Sequence, residues 1–360
     1  MNVRLAPRLV DPDAAARRAA VSAVEVLVSL AVISLLLALL LPGIQRSRER
    51  ARNAQCNHHL RQLAVACQNH IASHRSFPET STRWRDRRGV FHASLSPHVR
   101  LLPYLEGDTV YETVEWSHGG RDNPGSLPDS FLAIGNGVIV FSRPVNETPL
   151  TTTIPVFLCP SDIQRPAGNN YRACMGYGPG IFGPNSGAIC QYPGNASGAF
   201  VNGRPVRPAE FRDGLSNTVL FSEQLIGDGD PQRYTPWTDA FYFEGNLCTA
   251  DDARQRCAQF ATVNAQHDSF RGTTWLLGGW RHTWYNHVLT PNSHVPDCSA
   301  GGEGMGGGGN GAYAARSYHE GGVNVVMADG SSRFVSENVN PAIWQALATR
   351  SGKESIGDSF

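Results

Sequence analysis

The stretch Val21–Leu41 (VSAVEVLVSLAVISLLLALLL) constrains this chain more than any other, because it is an apolar run interrupted by a single carboxylate, Glu25. Its 21 residues, at about 1.5 Å rise each, make a helix of roughly 30 Å, the hydrocarbon thickness of a bilayer. Nothing after Leu41 matches it in length and apolarity. A cleaved secretory signal would have a shorter core followed by ordinary mature sequence. Here helical sequence continues: Cys56, Leu60, Leu63, Cys67 and Ile71 recur at spacings of 4, 3, 4 and 4 and define one helical face. A membrane helix running into an amphipathic helix is therefore expected, with a kink at Pro42, whose ring removes a backbone donor. An acid inside the apolar half costs about 2.5–3.5 kcal/mol, so Glu25 either lies near the interface or has a partner.

After the anchor, the 360-residue chain has room for one large or two modest domains, and 37 Gly with 23 Pro favour turns, strands and loops there. Zero formal net charge gives no reason to expect nucleic acid as a partner. Arginines flank the anchor on both sides, Arg17 and Arg18 before it and Arg46 and Arg48 after it, so flanking charge does not orient it. The eight cysteines are an even number that suits an oxidising compartment. Cys56 and Cys67 stand about 16 Å apart along a helix and cannot bond each other. Cys174 with Cys190, and Cys248 with Cys257, are the local candidates for bridges.

Along the body, Val99–Leu105 and Val138–Phe141 read as strands, as does 152–162 up to Cys159-Pro160. The Gly-, Pro- and Asn-rich 164–210 reads as a surface excursion, and Asp213-Gly214 as a turn feeding a strand at Thr218–Phe221. Near the C-terminus, alternating residues from Val323 lead to Asp329-Gly330, a two-residue hairpin turn that pairs Ala328 with Ser331 and Val325 with Phe334. A short helix follows, capped by Asn340, opened by Pro341, buried through Ile343, Trp344 and Leu347, and ended by Gly352.

Three readings compete for residues 275–311. His282, His287, His294 and Cys298 have the chemistry of metal ligands but not the usual zinc spacing. Trp275, Trp280 and Trp284 can act as stacking platforms for a glycan, or fill a core. The glycine-rich run from Gly301 lacks the Gly-Lys-Ser/Thr ending of a phosphate loop. No nucleophile elbow or His-Glu-x-x-His helix occurs. His319 and Asp329, with about 30 Å of strand between them, are too far apart to share a proton. An enzyme is not expected.

The N-terminal segment resembles that of type IV pilins and pseudopilins: a basic leader, a hydrophobic helix with Glu in its first turns, and Pro42 near the far end. The resemblance implies cleavage between Ala20 and Val21, methylation of Val21, and pairing of Glu25 with a neighbouring subunit's N-terminal amine. Ala20 stands where that pattern has Gly. Further along, the blocks LLLALLLPGIQRSRERARNAQC, LRQLAVACQNH, FLCPSD, Asn170-Tyr171, DGLSNTVLFSEQ and the H-x9-DG motif (His319, Asp329, Gly330) resemble the bacterial family known as domain of unknown function 1559.

Together these features predict an α+β, pilin-like fold, with a long N-terminal transmembrane and amphipathic helix packed on a mainly antiparallel sheet carrying long loop insertions. The expected divisions are a leader (1–20), a membrane helix (21–41), an amphipathic extension (42–75), an exported body (76–350) and a tail (351–360). The function implied is an inner-membrane, single-pass structural or interaction protein, with its body in the periplasm or outside the cell. Its partners would be the membrane, itself or other pilin-like subunits, as in a type II secretion or pilus-like assembly. The alternative is a tethered glycan-binding module. No cofactor is expected, except that the likeness to pseudopilins admits calcium in the acidic and glycine-rich loops.

Overall fold

The structure is a computed structural model that describes residues 23–80, 84–85, 91–92, 95–114, 116–118, 133–135, 138–140, 147–163, 165–178, 197–243, 247–260, 267–300 and 310–354. Ala20, Val21 and Cys190 lie outside the described residues, as does most of the glycine-rich run.

The first element, α1 (Ala23–His74), is helical without a break and contains Pro42. The chain divides into Met1–Arg50 and Ala51–Phe360. In the first unit, Val24–Leu41 is exposed, as an apolar surface meant for lipid would be. In the second, α1 buries Cys56, Leu60, Leu63, Ala64, Ala66, Cys67 and His70, the face expected from the spacing with Ile71 at its margin.

The strands are β1 (Trp84–Arg85), β2 (Phe91–His92), β3 (Ser117–His118), β4 (Ala133–Gly135), β5 (Val138–Val140), β6 (Tyr171–Cys174), β7 (Val219–Glu223), β8 (Ala240–Phe243), β9 (His267–Asp268), β10 (Trp284–Tyr285), β11 (Asp297–Ala300), β12 (Asn310–Ala312), β13 (Gly322–Met327) and β14 (Ser332–Ser336). The central sheet runs β10-β6-β7-β13-β14, antiparallel except where β10 joins β6. A second sheet runs β12-β11-β8-β9 and has one parallel pair, β11 with β8. The class is α+β, as expected.

Among the described residues five further helices follow: α2 (Pro97–Leu101), α3 (Asp108–Tyr111), α4 (Glu147–Thr151), α5 (Ala250–Phe260) and α6 (Pro341–Ala346). Asn340 Oδ1 accepts from Ala342 N at 2.8 Å, which is the expected cap. Trp344 and Leu347 are buried, and α6 ends well before Gly352.

Several local expectations are corrected. Val99–Leu105 is helical rather than extended, because Pro97 opens α2 and Pro103 lies in the 3-10 turn that follows. Pro155 likewise opens a 3-10 turn at Pro155–Phe157 in place of a strand. Within 164–210, β6 is buried along its whole length and is an inner strand of the central sheet, not a surface excursion. The C-terminal hairpin is offset by one residue from the expected register: Val325 faces Arg333, and Met327 N donates to Ser331 O at 2.8 Å. Its loop is therefore Ala328, Asp329 and Gly330, with Gly330 at φ +92° supplying the left-handed residue.

The bridges differ too. Cys56 bonds Cys159 and Cys257 bonds Cys298, whereas Cys174 is free and buried. Cys248 is disulfide-bonded, but not to Cys257. Proximity in sequence was a poor guide because α5 and β11 bring distant cysteines within 5.4 Å, Cα to Cα.

Candidate functional site

The site grows from the end of one strand. β7 is buried throughout, so its last residue, Glu223, carries a carboxylate into the interior. Such a group requires hydrogen bonds. Asn324, on the neighbouring β13, supplies two: its backbone N–H donates to Oε2 at 2.7 Å and its side-chain Nδ2 to Oε1 at 2.9 Å. His319, just before β13, places Nε2 3.2 Å from Glu223 Oε1 and 3.7 Å from Cys159 Sγ. That sulfur belongs to the disulfide with Cys56 on α1. Cys56, Cys159, Glu223 and His319 are all buried.

Each arm of the cluster is braced. Cys159 N donates to Asn170 Oδ1 at 2.9 Å, and Asn170 Nδ2 donates to Asp162 Oδ2 at 2.6 Å and to Gln224 O at 2.9 Å. Burial pushes the Asp162 carboxyl up, against the N–H groups of Ile226 and Ile163 that hold it. His319 N donates to Ser317 Oγ at 3.1 Å. The amide of Asn324 is clamped in turn by α1, donating to Asn53 Oδ1 at 2.9 Å and accepting from Asn57 Nδ2 at 3.2 Å. Helix and sheet therefore meet through a polar ladder built around the Glu223 carboxylate. Gln68 extends that ladder by donating to Ala328 O at 2.7 Å.

A narrow cleft adjoins the cluster, lined by Cys159, Asp162, Glu223, Gln224, Arg316 and Tyr318 among others. Beyond it lies a buried ionic knot. Arg316 and Arg271 reach the two oxygens of Asp297 at 2.8 and 2.6 Å. Burial pushes the Asp297 carboxyl up, and the two guanidiniums outweigh that and hold it below the usual range. Arg172, fully buried beside them, donates to Trp280 O at 3.3 Å, and burial lowers its pKa strongly.

The residues singled out from the sequence are dispersed. His319 lies in the cluster, while Asp329 sits at the hairpin loop, where its Oδ1 accepts from Ser331 N at 2.8 Å. Glu25 is exposed in the first turn of α1, and its carbonyl accepts from Ser29 Oγ at 2.7 Å. Trp275, Trp280 and Trp284 are fully buried, which corrects the glycan-platform reading. Trp275 and Trp284 donate to Thr152 O and Thr80 Oγ1, and Trp280 stacks on Tyr313 at 5.4 Å between centroids. The metal set of three histidines and Cys298 is not assembled: Cys298 is in a disulfide, His294 is exposed, and His287 stacks on Trp344 at 3.5 Å. Glu223 and Asn324 were missed. An Asn inside the apolar run of β13 was the available signal, since a buried amide must have partners.

These features define a class: an α+β protein whose N-terminal helix begins as an apolar segment and whose later turns are disulfide-bonded to the sheet domain. The chain belongs to the family described as protein of unknown function DUF1559, whose model matches residues 45–342, well over half its length. No curated protein and no solved structure matches it.

Proposed function

We propose that this chain is an exported, single-pass membrane subunit with a structural or interaction role of the pilin-like type. The observation that carries the reading is the Cys56–Cys159 bond. Disulfides persist in oxidising compartments, so a bond from the helix to the body supports a body on the exported side of the membrane. The unbroken course of α1 supports an anchor over a cleaved signal, because cleavage beyond the apolar run would sever a continuous helix. Val21–Leu41 holds the subunit in the bilayer, and Glu25 gives lateral association a polar pairing term that lipid cannot supply.

The test is the Glu25→Leu variant, cross-linked in intact membranes and pulled down. Wild-type chain should yield homo-oligomers or complexes with other anchored subunits. The variant should remain in the membrane fraction and lose them. Complexes unchanged by Glu25→Leu would overturn the assembly reading.

A further inference from the structure

The disulfide, the carboxylate and the imidazole buried between α1 and the central sheet have the composition of a metal site with two of its ligands locked together. We propose that Cys56, Cys159, Glu223 and His319 constitute a redox-gated zinc centre: closed as a disulfide when oxidised, and competent to bind one Zn²⁺ when that disulfide is reduced. The inference does not depend on anchoring or assembly.

The geometry carries it. A tetrahedral zinc with bonds of about 2.0–2.3 Å holds its ligand atoms roughly 3.3–3.8 Å apart. Here His319 Nε2 lies 3.2 Å from Glu223 Oε1 and 3.7 Å from Cys159 Sγ, and all four ligand atoms fall within 4.8 Å of one another. The two sulfurs, bonded to each other in the oxidised chain, must separate to take tetrahedral positions, and breaking their bond permits that. Two thiolates with an imidazole and a carboxylate suit zinc by softness and coordination number. Zinc centres also need outer hydrogen bonds that aim their ligands. Asn324 provides two to Glu223, Asn170 fixes the backbone at Cys159, and Ser317 fixes that at His319.

The chemistry balances. An external dithiol attacks the Cys56–Cys159 bond by thiol–disulfide exchange, two electrons and two protons pass to the cysteines, and the dithiol leaves as its own disulfide. Zn²⁺ then displaces both thiol protons and binds two sulfurs, His319 Nε2 and a Glu223 oxygen. Oxidation by a disulfide-exchange catalyst reverses the sequence and expels the ion.

The experiment uses the full chain in detergent micelles, with or without reduction, loaded with Zn²⁺ and desalted without oxygen before metal analysis. Cobalt(II) loading reports thiolate ligation through its sulfur-to-metal charge-transfer band. The reduced chain should retain one zinc and the oxidised chain none. Because reduction opens every bridge, two controls assign the site: Cys257→Ser with Cys298→Ser should leave uptake unchanged, and Cys56→Ser with Cys159→Ser should abolish it. Asn324→Leu should weaken affinity about 10- to 100-fold, as loss of an outer-sphere partner does. Absence of zinc from the reduced chain, uptake surviving in Cys56→Ser/Cys159→Ser, or loss of the folded circular-dichroism spectrum on reduction even with zinc present would overturn the proposal.

Discussion

Asn324 is the residue on which helix, sheet and site converge. Its side chain contacts Glu223 on β7 and both Asn53 and Asn57 on α1, all out of solvent contact at its own end. Replacement by Leu removes the side-chain donor to the buried Glu223 carboxylate and one hydrogen bond from each of two half-buried helix amides. Since an unsatisfied buried group costs about 1–3 kcal/mol, Asn324→Leu is expected to destabilise by roughly 2–4 kcal/mol in urea unfolding. A midpoint within error of wild type would show that the ladder contributes little. Gly322 is constrained by space alone, because a Cβ there would come within 2.0 Å of Val335 O on β14. Gly322→Ala should therefore displace the hairpin and lower the unfolding temperature, whereas a silent substitution would contradict the β13–β14 packing. Sequence reasoning found His319 and the turn at Gly330 because each carries a local signal. It missed Glu223 because a polar residue ending an apolar strand looks like a solvent-exposed strand end until the neighbouring strands are placed.

Among the elements, α1 was the most legible. The recurrence of Cys56, Leu60, Leu63 and Cys67 places a core face without tertiary information, and all four are buried. The hairpin was legible in existence but not in register, because Asp-Gly fits both a two-residue turn and a three-residue loop ending in a left-handed glycine. α5 and the second sheet were illegible: their strands are short, and the pairs β8–β11 and β8–β9 join residues far apart in sequence. The bond from α1 to the Cys159 loop spans 103 residues of sequence. In the chain-entropy view a loop of about 100 residues corresponds to about 4.7 kcal/mol. Cys56→Ser with Cys159→Ser should thus lower stability by several kcal/mol, read by thermal unfolding of the oxidised proteins. A loss below about 1 kcal/mol would mean that the helix–sheet contacts suffice without the bond.

At the scale of the whole body, from Ala51 onward, buried histidines set the response to pH. Burial lowers His98, His282 and His287 to about 3 in the folded chain. In the unfolded chain each titrates near 6.5. The folded pKa is depressed, so these groups leave stability intact above about pH 6.5 and erode it as pH falls toward 3, by up to about 1.4 kcal/mol per unit for each histidine. Unfolding temperature should accordingly decline from pH 7.5 to pH 5, and His287→Gln should flatten that decline; a pH-independent midpoint would contradict their neutral burial. The proposed function rests on a body bonded through Cys56 and Cys159 to α1. Its most direct test is mass spectrometry of chain isolated from membranes, with free thiols alkylated at lysis and peptides generated without reduction. A Cys56–Cys159 linked peptide in the membrane fraction is expected, with Cys67 and Cys174 recovered as thiols after denaturation. Recovery of Cys56 and Cys159 as separately alkylated peptides from untreated cells would contradict it.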